Sequence, residues 1–291
     1  MPEPLRLSAA IGPYAHVRAL RDGSVASTRI SFDFVDVAPI VRAFPRMLRR
    51  QEFDLCEMAV TALAQGHAYG KPVAGLSAVV MRGFHHGALL CPRDSPLRGP
   101  ADLAGRRVGV RSWSQTTGVW VRGILQHDHR VDSAAITWVT EEGSHVAEYH
   151  DPEFVTRAAP GTSLVAMLLG GEIDAGVALR GADAAKLRSV IHDPDEAAAD
   201  WFRRTGIYPA NHVICVRREL LAEHPWLAAE LMALFAAAKQ AAPPPRDALV
   251  GDDSLPYGLA ANRASIEMAM RFAAQQGLVP RAYTADELFA A

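Results

Sequence analysis

Ala88-Leu89-Leu90-Cys91-Pro92-Arg93-Asp94-Ser95-Pro96-Leu97 runs into Ala101-Asp102-Leu103-Ala104-Gly105-Arg106-Arg107-Val108-Gly109-Val110, and then into Ser112-Trp113-Ser114-Gln115-Thr116-Thr117-Gly118-Val119-Trp120. The apolar run before Pro92 predicts a strand, and the prolines break it into a turn. A short helix follows, then a second strand over Arg107 to Val110, then a polar loop that opens a helix. The first N–H groups of a helix have no partner inside it. A loop rich in Ser and Thr at that point therefore offers N–H groups and hydroxyls to an anion.

Working outward, the same alternation of strand and helix recurs. Leu5 to Ala10 reads as a strand stopped by Gly12-Pro13, Tyr14 to Asp22 as a helix, and Ser31 to Asp36 as a half-buried strand. Ile40 to Gln51 is helical, Phe53 to Met58 a strand, and Pro72–Leu76 and Ala78–Met81 are buried strands. Ile136 to Thr140 and Ile173 to Leu179 are further strands, with a helix over Ser163 to Leu169 that Gly170 or Gly171 ends in a left-handed conformation. His212 to Val216 starts another strand, and long helices cover Ala222 to Gln240 and Asn262 to Gln276. Strands alternating with helices indicate βαβ units and a largely parallel sheet.

The chain has 291 residues, 49% hydrophobic and 21% charged, with a formal net charge of −2. That is enough for one large or two ordinary domains, and the interspersed charges exclude a nucleic-acid stripe or a polybasic membrane patch. No run is long and apolar enough for a membrane span. The three cysteines, Cys56, Cys91 and Cys215, are odd in number and lie in apolar runs, so they read as buried free thiols suited to a reducing compartment. Met1-Pro2-Glu3-Pro4 has no basic n-region, and no apolar h-region follows it. A cytoplasmic protein is the expectation from this start.

Several motifs, in order, resemble one family. They are Phe84-His85-His86, Ser114-Gln115-Thr116-Thr117-Gly118-Val119-Trp120-Val121-Arg122-Gly123 and Gly206-Ile207-Tyr208-Pro209-Ala210-Asn211-His212. Pro256-Tyr257-Gly258-Leu259 and Gln276-Gly277-Leu278-Val279-Pro280-Arg281, with Asp286-Glu287-Leu288-Phe289 after it, complete the set. Together they resemble the 4,5-dihydroxyphthalate decarboxylase family, on the type 2 periplasmic-binding-protein fold. The resemblance implies an α/β, two-lobed architecture with a ligand cleft between the lobes. Lobe one would hold residues 1–87 and 206–291 and lobe two residues 88–205, with the chain crossing near Gly87–Leu90 and Asp200–Val213. His85 stands where the family more often carries arginine, and the chain is somewhat shorter than typical members.

The residues that could carry chemistry follow. His86 and His212 are candidate proton donors, because imidazole titrates near neutrality. His85 and His86 would face opposite ways on an extended chain, so only one of them enters a site. Glu57 closes an apolar strand run and needs a partner if buried. Glu57, His86 and His212 would together suit catalysis, or a divalent metal with open positions; equally, each can be a packed, hydrogen-bonded group. Ser114, Gln115, Thr116 and Thr117 suit carboxylate binding as well as helix capping. Arg82 and Arg111 are candidate countercharges with a bidentate fork, Arg111 being preferred to Arg122, which is expected to face solvent. Tyr14 and Trp113 could stack on an aromatic ring or simply pack. The stretch from Glu141 to Asp151, with His145 and His150, reads as a solvated loop.

The resemblance implies a decarboxylase of a hydroxylated aromatic carboxylate, with no certain cofactor beyond that candidate metal. The alternative is a non-catalytic solute-binding protein for a small organic anion. On either reading the partner is a small aromatic or organic anion, and self-association into a homo-oligomer stays open.

Overall fold

The computed structural model describes residues 3–290. Along the chain run β1 (Leu5–Ala10), α1 (Arg18–Arg21), β2 (Ile30–Phe34), α2 (Ala43–Arg50), β3 (Leu55–Ala59), α3 (Val60–Ala68) and β4 (Val73–Arg82). Then come β5 (Leu89–Pro92), β6 (Arg107–Val110), α4 (Thr116–His129), β7 (Thr137–Thr140), β8 (Val155–Arg157), α5 (Leu164–Leu169), β9 (Ala175–Val177), β10 (Leu187–Ser189) and α6 (Pro194–Thr205). The last stretch holds β11 (Ala210–Arg217), α7 (Arg218–Glu223), α8 (Leu227–Gln240), α9 (Leu259–Gln275) and α10 (Ala285–Leu288).

These elements form two compact units. The first takes the chain up to Arg82, then Ala210–Met270 and the stretch from Tyr283 onward; the second takes Gly83–Pro209 and Arg271–Ala282. The breaks thus fall at 82/83 and 209/210, and residues 271–282 count with the second unit, not with the first as 206–291 would require.

The first unit holds a five-stranded sheet in the order β2-β1-β3-β11-β4, with β1 parallel to β2 and β3. β11 runs antiparallel to both β3 and β4. One face of this sheet packs Leu7, Leu55, Leu76, Ile214 and Val216 against Val17, Leu231 and Phe235. Fully burying one such large side chain contributes about 1.5–3 kcal/mol. Cys56 and Cys215 sit opposite one another on β3 and β11, and with Cys91 they are buried free thiols.

The second unit holds a six-stranded sheet in the order β10-β5-β9-β6-β7-β8, its β9-β6-β7-β8 portion parallel. Val139, Leu164, Met167, Leu168 and Ile173 form a core on it. Ser163 caps α5 by accepting from the Val165 N–H, and Gly171, at φ 75°, takes the left-handed turn after it. Among the described residues, no helix is long and apolar enough to cross a membrane.

Three local readings change. The helix expected over Ala222–Gln240 is two, α7 and α8, separated around Pro225, whose ring and missing N–H interrupt a helix. The two short strands expected over 72–81 are one, β4. His212 is the third residue of its strand, not the first.

Candidate functional site

In the first unit, β3 and β11 pair with Ile214 opposite Glu57 and His212 opposite Ala59. Side chains two residues apart on one strand share a face, so this register brings Glu57 and His212 together. The Glu57 side chain is fully buried, and its Oε1 accepts from His212 Nδ1 at 2.6 Å and from the Tyr14 hydroxyl at 2.7 Å. Oε2 accepts from the Gly12 N–H at 2.8 Å. Gly12 is required there: a Cβ would stand 2.8 Å from the Tyr14 ring and 3.1 Å from Glu57 Oε2.

The electrostatics follow from this geometry. Burial pushes the Glu57 carboxyl upward, but the His212 hydrogen bond and charge, with Gly12 and Tyr14, outweigh it and hold the group below the usual carboxylate range. Burial, then the adjacent carboxylate, drives the Tyr14 phenol far above its ordinary value, so it stays a donor. Phe44 meets the His212 ring edge-on at 5.2 Å between centroids. His16 stacks on Tyr14 at 5.2 Å with an interplanar angle of 13°. Its imidazole is pushed down by burial and then by the charge of Lys239, against the Glu57 carboxylate and a hydrogen bond to the Val80 backbone. His16 is a neighbour that sequence spacing does not reveal, because stacking is decided in three dimensions; the hint is its place two residues after Tyr14. Tyr14 therefore serves as a hydrogen-bond donor, with one ring neighbour already in place. Arg82 closes β4, opposite Ala210.

The second unit holds the other candidates. The loop from Ser112 leads into α4 with Gln115 at the N-cap position, although the Gln115 side chain does not cap. Ser112 Oγ lies 3.0 Å from Ser114 Oγ and donates to the Gly143 carbonyl at 3.1 Å. Thr116 is buried and Thr117 half-buried at the start of α4. A small cavity of about 60 Å³ at the carboxyl ends of β6 and β9 is lined by Arg111, Gln115, Glu141, Ser163 and Arg180, among others. That is room for a small polar group. Arg111 donates to Glu142 at 2.9 Å, while its Nε and Gln115 Oε1 are buried without a protein partner. Ser163 and Arg180 are members that the sequence does not flag.

Other expectations change here. Arg122 does not face solvent: it is fully buried, with its guanidinium carbon 3.6 Å from the Trp113 ring centroid. Trp113 is itself fully buried, with Trp138 and Phe154 edge-on to it. Burial pushes Arg122 down to about 9. Ser144, His145 and Val146 are buried within the loop expected to be solvated. His85 and His86 do not lie on an extended chain, since His85 has ψ 3° and His86 starts a turn of 3-10 helix. Both are buried in the second unit, His85 stacked toward Trp120 and His86 edge-on to Trp201. Neither nitrogen of His86 has a hydrogen-bond partner, and burial, with smaller effects of Asp128, His129 and Arg204, pushes it down to about 4. The structure thus joins Glu57 to His212, whereas His86 belongs to the second unit. Among the described residues, no group of three or more His, Cys, Asp or Glu side chains is arranged to hold a metal ion.

A protein of Comamonas testosteroni named 4,5-dihydroxyphthalate decarboxylase is 28% identical over 98% of this chain and 96% of its own. One of Pseudomonas putida with the same name is 31% identical over 68% of this chain and 82% of its own. The chain belongs to the 4,5-dihydroxyphthalate decarboxylase family. No protein-family model matches it. Among solved structures, the alkanesulfonate-binding protein SsuA of Xanthomonas axonopodis pv. citri, bound to MOPS, superposes with TM-score 0.56 at 15% identity, over 99% of this chain and 98% of its own. The desulfurization enzyme DSZB superposes with TM-score 0.54 at 17% identity, over 98% of this chain and 96% of its own. These likenesses establish the periplasmic-binding-protein-like fold for this member of the decarboxylase family.

Proposed function

We propose that this protein removes carbon dioxide from a hydroxylated aromatic carboxylate of the 4,5-dihydroxyphthalate type. The observation that carries the reading is the buried Glu57–His212 pair, within a chain of this family. Aromatic decarboxylation would leave a carbanion on the ring unless the ring is protonated first. A hydroxyl para to the carboxylate can release its proton to water and lend its electron pair, so that the carboxylate-bearing carbon takes a proton from a donor and the ring becomes a dienone. The carbon–carbon bond to the carboxylate then breaks, carbon dioxide leaves, and the bonding pair restores the aromatic ring and a phenolate, which takes a proton back. The net change is a ring hydrogen in place of the carboxylate.

His212 is the proposed donor of the ring proton. Glu57 holds the His212 ring by accepting from Nδ1, which leaves Nε2 as the ring atom free to carry the transferable proton. The Tyr14 hydroxyl and the Gly12 N–H keep the Glu57 carboxylate charged and immobile. The second unit, taken by itself, holds Arg111, Gln115, Ser163 and Arg180 around one small cavity and the loop of Ser114, Thr116 and Thr117, groups able to bind a carboxylate.

The test is incubation of the purified protein with 4,5-dihydroxyphthalate and release of carbon dioxide. Turnover that disappears in His212→Ala, in a variant with an unchanged far-ultraviolet circular dichroism spectrum, supports the assignment. Tight binding without any carbon dioxide would overturn it in favour of a solute-binding protein.

A further inference from the structure

Two of the sequence motifs, Ser114 to Gly123 and Gln276 to Arg281, meet in one hydrogen-bonded network inside the second unit. Arg122 Nε donates to Gln276 Oε1 at 2.6 Å, and Nη2 donates to the Trp113 carbonyl at 2.6 Å. Gln276 Nε2 donates to the Val119 carbonyl at 2.9 Å, and the Trp113 indole N–H donates to the Gln276 carbonyl at 3.3 Å. The network thus ties the loop, through Trp113, and the first turns of α4, through Val119, to one glutamine.

We propose that Gln276 and Arg122 are positioning residues that hold the loop 112–118 in its anion-binding shape. The proposal rests on the reading of that loop as the place where the substrate carboxylate is recognised. Burying a guanidinium with no carboxylate in contact is costly, and a hydrophobic side chain would fill the same space at less cost. What the guanidinium adds is a rigid planar fork that reaches two acceptors at fixed angles, one on Gln276 and one on the loop backbone. The remaining nitrogen, Nη1, is buried without a protein partner. It lies 3.0 Å from the position a Gly118 Cβ would take, beside the first turn of α4. Its hydrogen-bond acceptors are neutral amide oxygens, and Asp151 acts on it only through charge, so the guanidinium adds positive charge beside the N–H groups of that turn. Neither residue is proposed to touch the substrate; both act through the loop.

The experiment uses the full chain, phthalate as a non-reacting probe in calorimetry, and hydrogen–deuterium exchange of the ligand-free protein. Gln276→Met keeps the volume and removes the side-chain hydrogen bonds. It is expected to speed amide exchange across residues 112–118 and to weaken phthalate about tenfold, the order of losing one charge-assisted hydrogen bond. KM for 4,5-dihydroxyphthalate should rise while kcat holds. Gln276→Glu retains an acceptor for Arg122 and should restore protection of the loop. Arg122→Lys keeps the charge but loses the fork, and should repeat the Gln276→Met result if that variant is too unstable to study. A Thr116→Val/Thr117→Val variant separates the two readings. If it binds phthalate weakly while Gln276→Met and Arg122→Lys match wild type in exchange and affinity, the positioning role is overturned. If it binds phthalate as wild type does, the loop is not the anion site, and the proposal falls with that reading.

Discussion

Replacing Glu57 by glutamine preserves shape and removes one charge, so it isolates the electrostatic part of the site. The carboxylate accepts three hydrogen bonds, two at Oε1 and one at Oε2. An amide can turn its oxygen toward Tyr14 and His212, but its NH2 then faces the Gly12 N–H. One bond is lost and a buried donor is stranded, at about 1–3 kcal/mol. The other two bonds lose their charge assistance, which roughly halves them. Together these place the loss at about 3–5 kcal/mol, the range for removing one member of a buried pair. Urea unfolding at pH 7 reads that loss. Its pH dependence has a definite sign. The folded carboxyl lies below its ordinary value of 4.5, so its stabilisation is fully present above that value. It fades as pH falls through the folded value, and the gap between wild type and Glu57→Gln should close there. Carbon dioxide release from 4,5-dihydroxyphthalate should fall by about 10²- to 10⁴-fold, since His212 loses the carboxylate that holds its ring in place. Turnover within a few-fold of wild type, or an unchanged urea midpoint, would refute the account.

Thr116→Val/Thr117→Val should weaken phthalate binding in a variant that still melts cooperatively, read by calorimetry beside a melting curve. Gly123→Ala should destabilise the second unit by about 1–3 kcal/mol or more, because the new methyl would meet the Phe272 ring at 2.1 Å; denaturant unfolding followed at the tryptophans of that unit checks it. His86 takes a proton near pH 6.5 when unfolded but only near pH 4 when folded. Folding stability should therefore decline as pH falls through that window, and His86→Leu should flatten the decline in acid-unfolding curves.

Much of this architecture is legible in the sequence because short apolar runs lie between Gly and Pro breaks. β1 and β6 have the ends that alternation assigns, and the Ser/Thr loop does open α4. α3 is less legible, since Val60 through Gly66 is buried all round and shows no polar face. α6 carries usable signals, with Pro194 in its first turn, Asp195 and Glu196 beside it, and Arg203 and Arg204 at its end. Within the site, the expected meeting of Glu57 and His212 rests on a β-register between residues 155 apart, which no local spacing carries, and the third expected member, His86, lies in the second unit. Arg122 misleads because a charged side chain on a helix usually faces water. Gly118, four residues earlier on the same face, and the tryptophans at 113 and 138 are the signs of a cavity able to hold it.

The position of β11 between β3 and β4 has a consequence for synthesis. Both of those strands leave the ribosome early, yet the strand that joins them is made only after the whole run from Gly83 to Pro209. Until then β3 and β4 each present an open edge, and open edges pair with other chains. The second unit's main stretch, by contrast, needs only the short return of residues 271–282 to be complete. Expression at low temperature, or with chaperones that shield strand edges, should therefore raise the yield by protecting the first unit's half-built sheet while translation continues.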